Sequence, residues 1–289
     1  SGNSFFGQCA GHCSTTGSKN VYVGCKAGFG NTTGSCNIAM GRSSGPQTCG
    51  ASGNNNIAIG SSSGFNISTG KCNILLGDCV GTALSTASNN VLIGACAGKK
   101  IIGGCNIFIG SRAGCDISSS NTNNIGIGDQ VFEGKTGGGR NIAIGHEAGR
   151  EEIALTFGNY NENIMIGTQA GRQGDARGDR NIYFGCKSGR YTSSATDDND
   201  DNIFIGTCAG CGFGGYNFSG CHVKCNIVIG ARAGVNATRG PSERTDQNII
   251  LGNYAYYKGR GACNIFVGSY TATYASGCGY GDANIGIGL

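Results

Sequence analysis

The chain has 289 residues, of which 56 are glycine, 17 cysteine, 2 proline and none tryptophan, and its net charge at pH 7 is +4. Glycine without a strict three-residue period, and with almost no proline, excludes a collagen helix. A hydrophobic share of 38 % at so low a charge argues against a disordered tail, and no apolar run approaches the roughly 18 residues that cross a bilayer as a helix.

From residue 3 onward one nine-residue pattern recurs: Asn, an aliphatic residue, an apolar residue, a second aliphatic residue, Gly, two variable residues, a small residue and Gly. Numbering these as motif positions 1 to 9, the first copy is the degenerate NSFFGQCAG at Asn3. Clear copies follow as NIAIGSSSG at Asn56, NVLIGACAG at Asn90, NIFIGSRAG at Asn106 and NIAIGHEAG at Asn141. The chain continues with NIMIGTQAG at Asn163, NIFIGTCAG at Asn202 and NIVIGARAG at Asn226, and closes with NIGIG at Asn284. Sixteen copies occur, their Asn residues 16 to 24 positions apart, the signature of a repeat architecture.

Each copy predicts a β-rich strand of about four residues, too short and too β-branched for a helix. The glycine after it permits a corner with positive φ, and the second glycine permits another. One copy per turn gives an all-β fold: a single elongated β-solenoid of about sixteen turns spanning 1–289. Its Cys-rich turns lie at 1–115, and longer, more charged turns at 116–289. At about 4.8 Å per turn the coil would be roughly 77 Å long. Asn56, Asn73, Asn90, Asn106, Asn124 and Asn141 should stack as an amide ladder. The extra residues of long turns, 191–201 and 211–224, should bulge out as loops.

Period-two alternation puts motif positions 2 and 4 on one face and position 3 on the other. The two Ile positions read as the solenoid interior. Position 3 is never charged; it holds Phe5, Tyr22, Leu75, Leu92, Phe108, Met165, Tyr183, Phe204, Val228, Ile250 and Phe266, with Ala or Gly elsewhere. A column so apolar must be covered, either by inserted loops or by a neighbouring subunit. The second reading makes it a self-association face. The first copy begins at residue 3 and the last ends at Gly288, with no polar cap at either end, which suits stacking of one protomer on the next. SGNSFFGQC carries neither an initiating Met nor a signal pattern, so the chain reads as a mature product or an excerpt.

The NIxIGxxAG units resemble the left-handed β-roll repeats in the heads of YadA-like trimeric autotransporter adhesins. They are also similar to NxxIGxxAG-type repeats in fibre proteins of phages and large viruses. The resemblance covers essentially the whole chain and implies an extracellular, homotrimeric or fibrous structural element. The chain departs from the adhesins in its longer, uneven turns and its many cysteines.

Seventeen cysteines point to an oxidising location, extracellular or on a cell or virion surface. Cys9, Cys79, Cys96 and Cys208 occupy position 7, and Cys36, Cys72, Cys105, Cys225 and Cys263 directly precede the Asn. Columns about 4.8 Å apart fall within the Cα range of a disulfide, so Cys79 with Cys96 is the foremost pair, and Cys208, Cys211, Cys221 and Cys225 are further candidates. The same four, with His222 nearby, have a spacing that zinc could use, though disulfides account for them more simply. Calcium at Asp197–Asp201 is the weaker reading of that acidic run, a solvated loop the simpler one. Sequons at Asn31, Asn66, Asn217 and Asn236 would be exposed glycosylation sites in a host that uses them. Tyr254, Tyr256, Tyr257, Tyr270, Tyr274 and Tyr280 form either a sugar-binding patch or packing between protomers.

Nothing reads as catalytic machinery: His12, His146 and His222 are the only histidines, and none sits in a nucleophile–base arrangement. Basic residues are scattered, which disfavours nucleic acid. The sequence therefore reads as a non-enzymatic structural subunit of a fibre whose partners are copies of itself. The alternative is a trimeric adhesin or tail-fibre segment that binds glycans or a host surface.

Overall fold

The computed structural model describes residues 2–117, 122–134, 138–150, 161–172, 178–192, 199–213, 223–237, 245–258, 261–272 and 283–288. Each of the sixteen motif copies forms a strand of three residues, at motif positions 2 to 4. They are β1 (Ser4–Phe6), β2 (Val21–Val23), β3 (Ile38–Met40), β4 (Ile57–Ile59), β5 (Ile74–Leu76), β6 (Val91–Ile93), β7 (Ile107–Ile109) and β8 (Ile125–Ile127). These are followed by β9 (Ile142–Ile144), β10 (Ile164–Ile166), β11 (Ile182–Phe184), β12 (Ile203–Ile205), β13 (Ile227–Ile229), β14 (Ile249–Leu251), β15 (Ile265–Val267) and β16 (Ile285–Ile287). No helix occurs among the described residues, and hence none long and apolar enough to cross a membrane.

The chain divides into two compact units, Ser1–Gly137 and Gly138–Leu289. Within the first, β1 to β8 stack in chain order as parallel neighbours; within the second, β9 to β16 do the same. Register runs motif to motif: Leu75 lies beside Leu92 and Leu92 beside Phe108, and in the second unit Met165 lies beside Tyr183 and Tyr183 beside Phe204. The ladder continues round the corners. From the turn of β6, Gly94 N donates to Leu76 O and Cys96 N to Asp78 O, while Gly81 N reaches forward to Ala97 O and Ala83 N to Lys99 O. Each unit is thus a β-solenoid, as the repeat predicts.

The strands are shorter than expected because the backbone turns at position 5. Gly24, Gly41 and Gly145 there have φ of +130°, +127° and +133°, a region open only to glycine. A Cβ on Gly145 would also stand 2.6 Å from the carbonyl oxygen of Gly167 in the next turn. Position 9 makes the second corner in the left-handed helical region, as at Gly28, φ +57°. Less expected is that position 7 and the residue before the Asn are left-handed too without being glycine. Cys79 and Cys96 have φ of +54° and +57°, and Cys72 and Asn89 have φ of +57° and +63°. The inter-turn hydrogen bonds there hold a conformation that L-residues avoid in isolation.

The interior reverses the expected assignment of faces. Position 3 points into the solenoid: Tyr22, Leu75, Leu92, Phe108, Met165, Tyr183, Phe204, Val228, Ile250 and Phe266 are all buried, and only Phe5, in the first turn, is exposed. They are therefore covered by their own chain, and the self-association face predicted at position 3 is its core. The physical reason is closure. The coil bends toward the side of position 3, where the Ala of position 8 and a second wall holding Ile67, Leu84, Ile101 and Ile117 complete the packing.

Volume is balanced between position 3 and position 9. An aromatic ring at position 3 lies over a position-9 glycine, so that a Cβ on Gly28 would be 2.5 Å from the Tyr22 ring and one on Gly114 2.6 Å from Phe108. Where position 3 is Gly126, position 9 is Phe132, whose ring fills the space and meets Phe108 edge-on at 6.2 Å. At the Ile250 turn Tyr256 takes position 9 and stacks on Phe266 at 4.8 Å.

The Asn ladder forms. Asn56, Asn73, Asn90, Asn106, Asn124 and Asn141 are all buried. Asn73 Nδ2 donates to Asn56 Oδ1 at 2.9 Å, Asn90 Nδ2 to Asn73 Oδ1 at 3.1 Å, and Asn163 Nδ2 to Asn141 Oδ1 at 3.1 Å. The same oxygen also accepts the backbone N–H of the next Asn, as from Asn106 to Asn90 at 3.0 Å. The ladder therefore satisfies main chain as well as side chain in the interior, where unpaired groups are costly.

Candidate assembly surface

Because position 3 turns inward, positions 2 and 4 turn out. Strands β2 to β15 repeat one burial pattern, a buried residue between two partly or fully exposed ones. Ile59, Ile107, Ile144 and Ile229 keep between 36 % and 39 % of their surface exposed. Ser4 is the sole polar residue at these two positions. Each unit therefore carries two parallel columns of Ile, Val, Leu, Met and Phe along one side of its sheet. Apolar residues that line up along eight turns form contiguous exposed surface, which on a folded protein marks an interaction site.

Cysteines border this face. Cys36, Cys72 and Cys105, directly before the buried Asn, are exposed at the leading end of β3, β5 and β7; Cys225 and Cys263 stand likewise before β13 and β15. Cys79 and Cys96 lie at the trailing end, in consecutive turns of one column, and both are free thiols, so the pair expected from the sequence is not bonded. Burial, foremost, and then Asp78 push the Cys79 thiol up. Among the described residues the bonded pair is Cys13–Cys49, Cα atoms 5.7 Å apart and 36 residues apart in sequence. The second-wall segment around Thr48 closes over Gly30 and brings Cys49 to Cys13, a juxtaposition that motif counting cannot see.

The four cysteines weighed for zinc or disulfides are not gathered. Cys208 and Cys211 are neighbours at the trailing end of β12, with Cys211 N donating to Cys208 O at 3.3 Å. Cys225 lies at the leading end of β13, the opposite margin of a parallel sheet, so it cannot bond to Cys208 or share a metal with it. Cys221 and His222 lie outside the described residues. Among the described residues no three His, Cys, Asp or Glu side chains converge as metal ligands. Of the acidic run, Asp197 and Asp198 lie outside the described residues. Asp201 takes Arg180 Nε at 2.6 Å, and Asp200 Oδ1 takes the Asp179 N–H at 2.8 Å.

Asn31 is not exposed as expected: its side chain is buried and its Nδ2 donates to Gly34 O at 2.8 Å. Asn66 is exposed and Asn236 half-buried; Asn217 lies outside the described residues. Of the tyrosines, Tyr256 is core, and Tyr254 and Tyr270 stack at 5.2 Å as consecutive residues of the position-7 column. Tyr274 and Tyr280 lie outside the described residues, as do most of the loops expected in 191–201 and 211–224.

A polar cluster unforeseen in the sequence is built from the same columns in the second unit. Glu147 at position 7 accepts from Gln169 Nε2 at 2.7 Å, from Arg172 Nη1 at 2.6 Å and from Arg150. Burial pushes the Glu147 carboxyl up, but Gln169, Arg172 and Arg150 together outweigh it and hold the carboxyl below its ordinary value. Arg190, one turn beyond Arg172, lies over the Tyr191 ring at 4.3 Å. The Glu147 bonds to Gln169 and Arg172 tie two consecutive turns together.

No family model, curated protein or solved structure matches the chain.

Proposed function

We propose that this protein is a structural subunit of an extracellular or surface fibre, assembled from copies of itself packed side by side through the aliphatic face. The observation that carries the reading is the pair of apolar columns at positions 2 and 4, with Ser4 their one polar member. Such a face left in water costs roughly 25 cal/mol per Å², and contiguous apolar surface of this kind marks an interaction site. The Cys13–Cys49 bond and the abundance of cysteine support an oxidising environment.

The test is electron microscopy and sedimentation of the unreduced protein, beside Ile59→Glu/Ile107→Glu. Both positions face outward, so the variant should keep a β-rich circular dichroism spectrum and lose association by at least tenfold. A wild-type protein that sediments as a monomer at every concentration would overturn the reading. A second reading, an adhesin or tail-fibre segment that binds glycans, draws on the Tyr254–Tyr270 stack with the Arg232 guanidinium 5.3 Å from the Tyr254 ring. Discrete three-fold rods that bind a glycan array would favour it over a filament.

A further inference from the structure

Cys36, Cys72 and Cys105 occupy alternate turns of one column, with Asn55 and Asn89 between them. All three are exposed, and all three sit in the left-handed conformation beside the aliphatic face. The column stays in register throughout, since Cys36 N donates to Ser18 O, Asn55 N to Ser35 O, Cys72 N to Asn54 O, Asn89 N to Lys71 O and Cys105 N to Ser88 O. Neighbouring thiols are therefore two turns, about 9.6 Å, apart at the usual strand spacing. A disulfide needs Cα atoms within about 4.4–6.8 Å, so these thiols cannot bond to one another within the chain. The remaining cysteines of the unit lie at the trailing end of the strands or in the second wall. Cys79 and Cys96, by contrast, are in consecutive turns and can pair internally.

We propose that Cys36, Cys72 and Cys105 form disulfides between two copies of this chain packed face to face with their coils antiparallel. The proposal rests on the aliphatic face being the self-association surface. Two sheets in contact can be related by a two-fold axis along the coil or along the strands. An axis along the coil sets the leading margin of one copy against the trailing margin of the other. An axis along the strands sets leading margin against leading margin and reverses the coil. The thiols at β3, β5 and β7 are symmetric about β5, so with the axis at β5 every thiol meets a thiol. Cys72 then faces Cys72 of the second copy, and Cys36 faces Cys105 in both directions. Disulfides that span two packed sheets are an established feature of β-sandwiches. The oxidant is a low-molecular-weight disulfide: one cysteine thiolate attacks it, forming a mixed disulfide and releasing one small thiol. The facing thiolate then displaces the second small thiol, so two cysteine thiols and one small disulfide become one protein disulfide and two small thiols.

The experiment incubates the purified full chain with oxidised glutathione, follows it by non-reducing electrophoresis, and maps the linked peptides by mass spectrometry. Parallel sedimentation is run under a reductant. The expected result is a covalent dimer, dissociated by reductant, with Cys72–Cys72 and Cys36–Cys105 as its dominant cross-links. Cys72→Ser should lose the first link and keep the second. Cys36→Ser/Cys72→Ser/Cys105→Ser should lose the covalent dimer while sedimenting like wild type under reductant. Association under reductant without cross-links at these cysteines overturns the disulfide inference and leaves the assembly reading standing. Absence of association under reductant overturns the assembly reading itself. Links mainly between leading and trailing cysteines, such as Cys72 with Cys79, overturn the antiparallel arrangement.

Discussion

At the scale of single residues, the fold depends on backbone conformations that few side chains accept. Position 5 is glycine because the chain passes through φ near +130° while the next turn's carbonyl sits where a Cβ would be. Gly145→Ala meets both obstacles, and we expect a loss of at least about 2–3 kcal/mol, the scale of a strained backbone residue plus a steric clash. Chemical denaturation checks this, and a loss below about 0.5 kcal/mol would contradict the geometry. The left-handed residue before the Asn is a different case, because there the inter-turn hydrogen bonds impose the conformation. Asn55, Asn89 and Asn123 suit it by type, whereas Cys, Lys and Arg hold it by context. The sequence announced the glycines through their period, but the left-handed cysteines carried no such sign.

Turns act on one another through columns. The Asn column was legible because one residue type recurs at one motif position and an amide can both donate and accept along the coil. The Glu147 cluster was not, since Glu147, Gln169, Arg150 and Arg172 differ in type and come together only when two turns are superimposed. Its pH response follows from the lowered Glu147 carboxyl. The group is more acidic folded than unfolded, so its stabilisation is complete above the unfolded value of about 4.3 and fades as pH falls through the lower folded value. Thermal melts from about pH 6 down to pH 3 should show the wild type losing more stability on acidification than Glu147→Gln. At neutral pH that variant should be less stable by about 2 kcal/mol, because Arg150 and Arg172 lose their shared carboxylate. Parallel acid profiles for the two proteins would remove the cluster from the stability of the second unit.

Over the whole molecule, the proposed assembly assigns folding to position 3 and association to its flanking positions. Leu92→Ala opens a cavity in the interior and should cost about 2–5 kcal/mol without altering the outer face. Ile59→Ala trims a side chain that is 38 % exposed. It should cost less than about 1.5 kcal/mol in stability yet weaken association severalfold. Denaturation and sedimentation on the two variants check the division, and equal effects in both measurements would show that the face is not distinct from the core.

The sequence by itself determined the repeat, the parallel strand at every copy, the glycine corners and the buried amide ladder, because each recurs at a fixed position of the motif and is enforced locally by backbone stereochemistry. Which side of the strand became the interior was decided by tertiary structure. Periodicity two separates the faces of a strand without saying which one the coil closes around. The uniform Ile columns look more like a core than a column running from Gly126 to Tyr22 does. Closure chose the variable column, since the position-9 residue adjusts to each side chain there, as Phe132 does for Gly126. The even columns were left outside, where regular spacing suits contact with another copy.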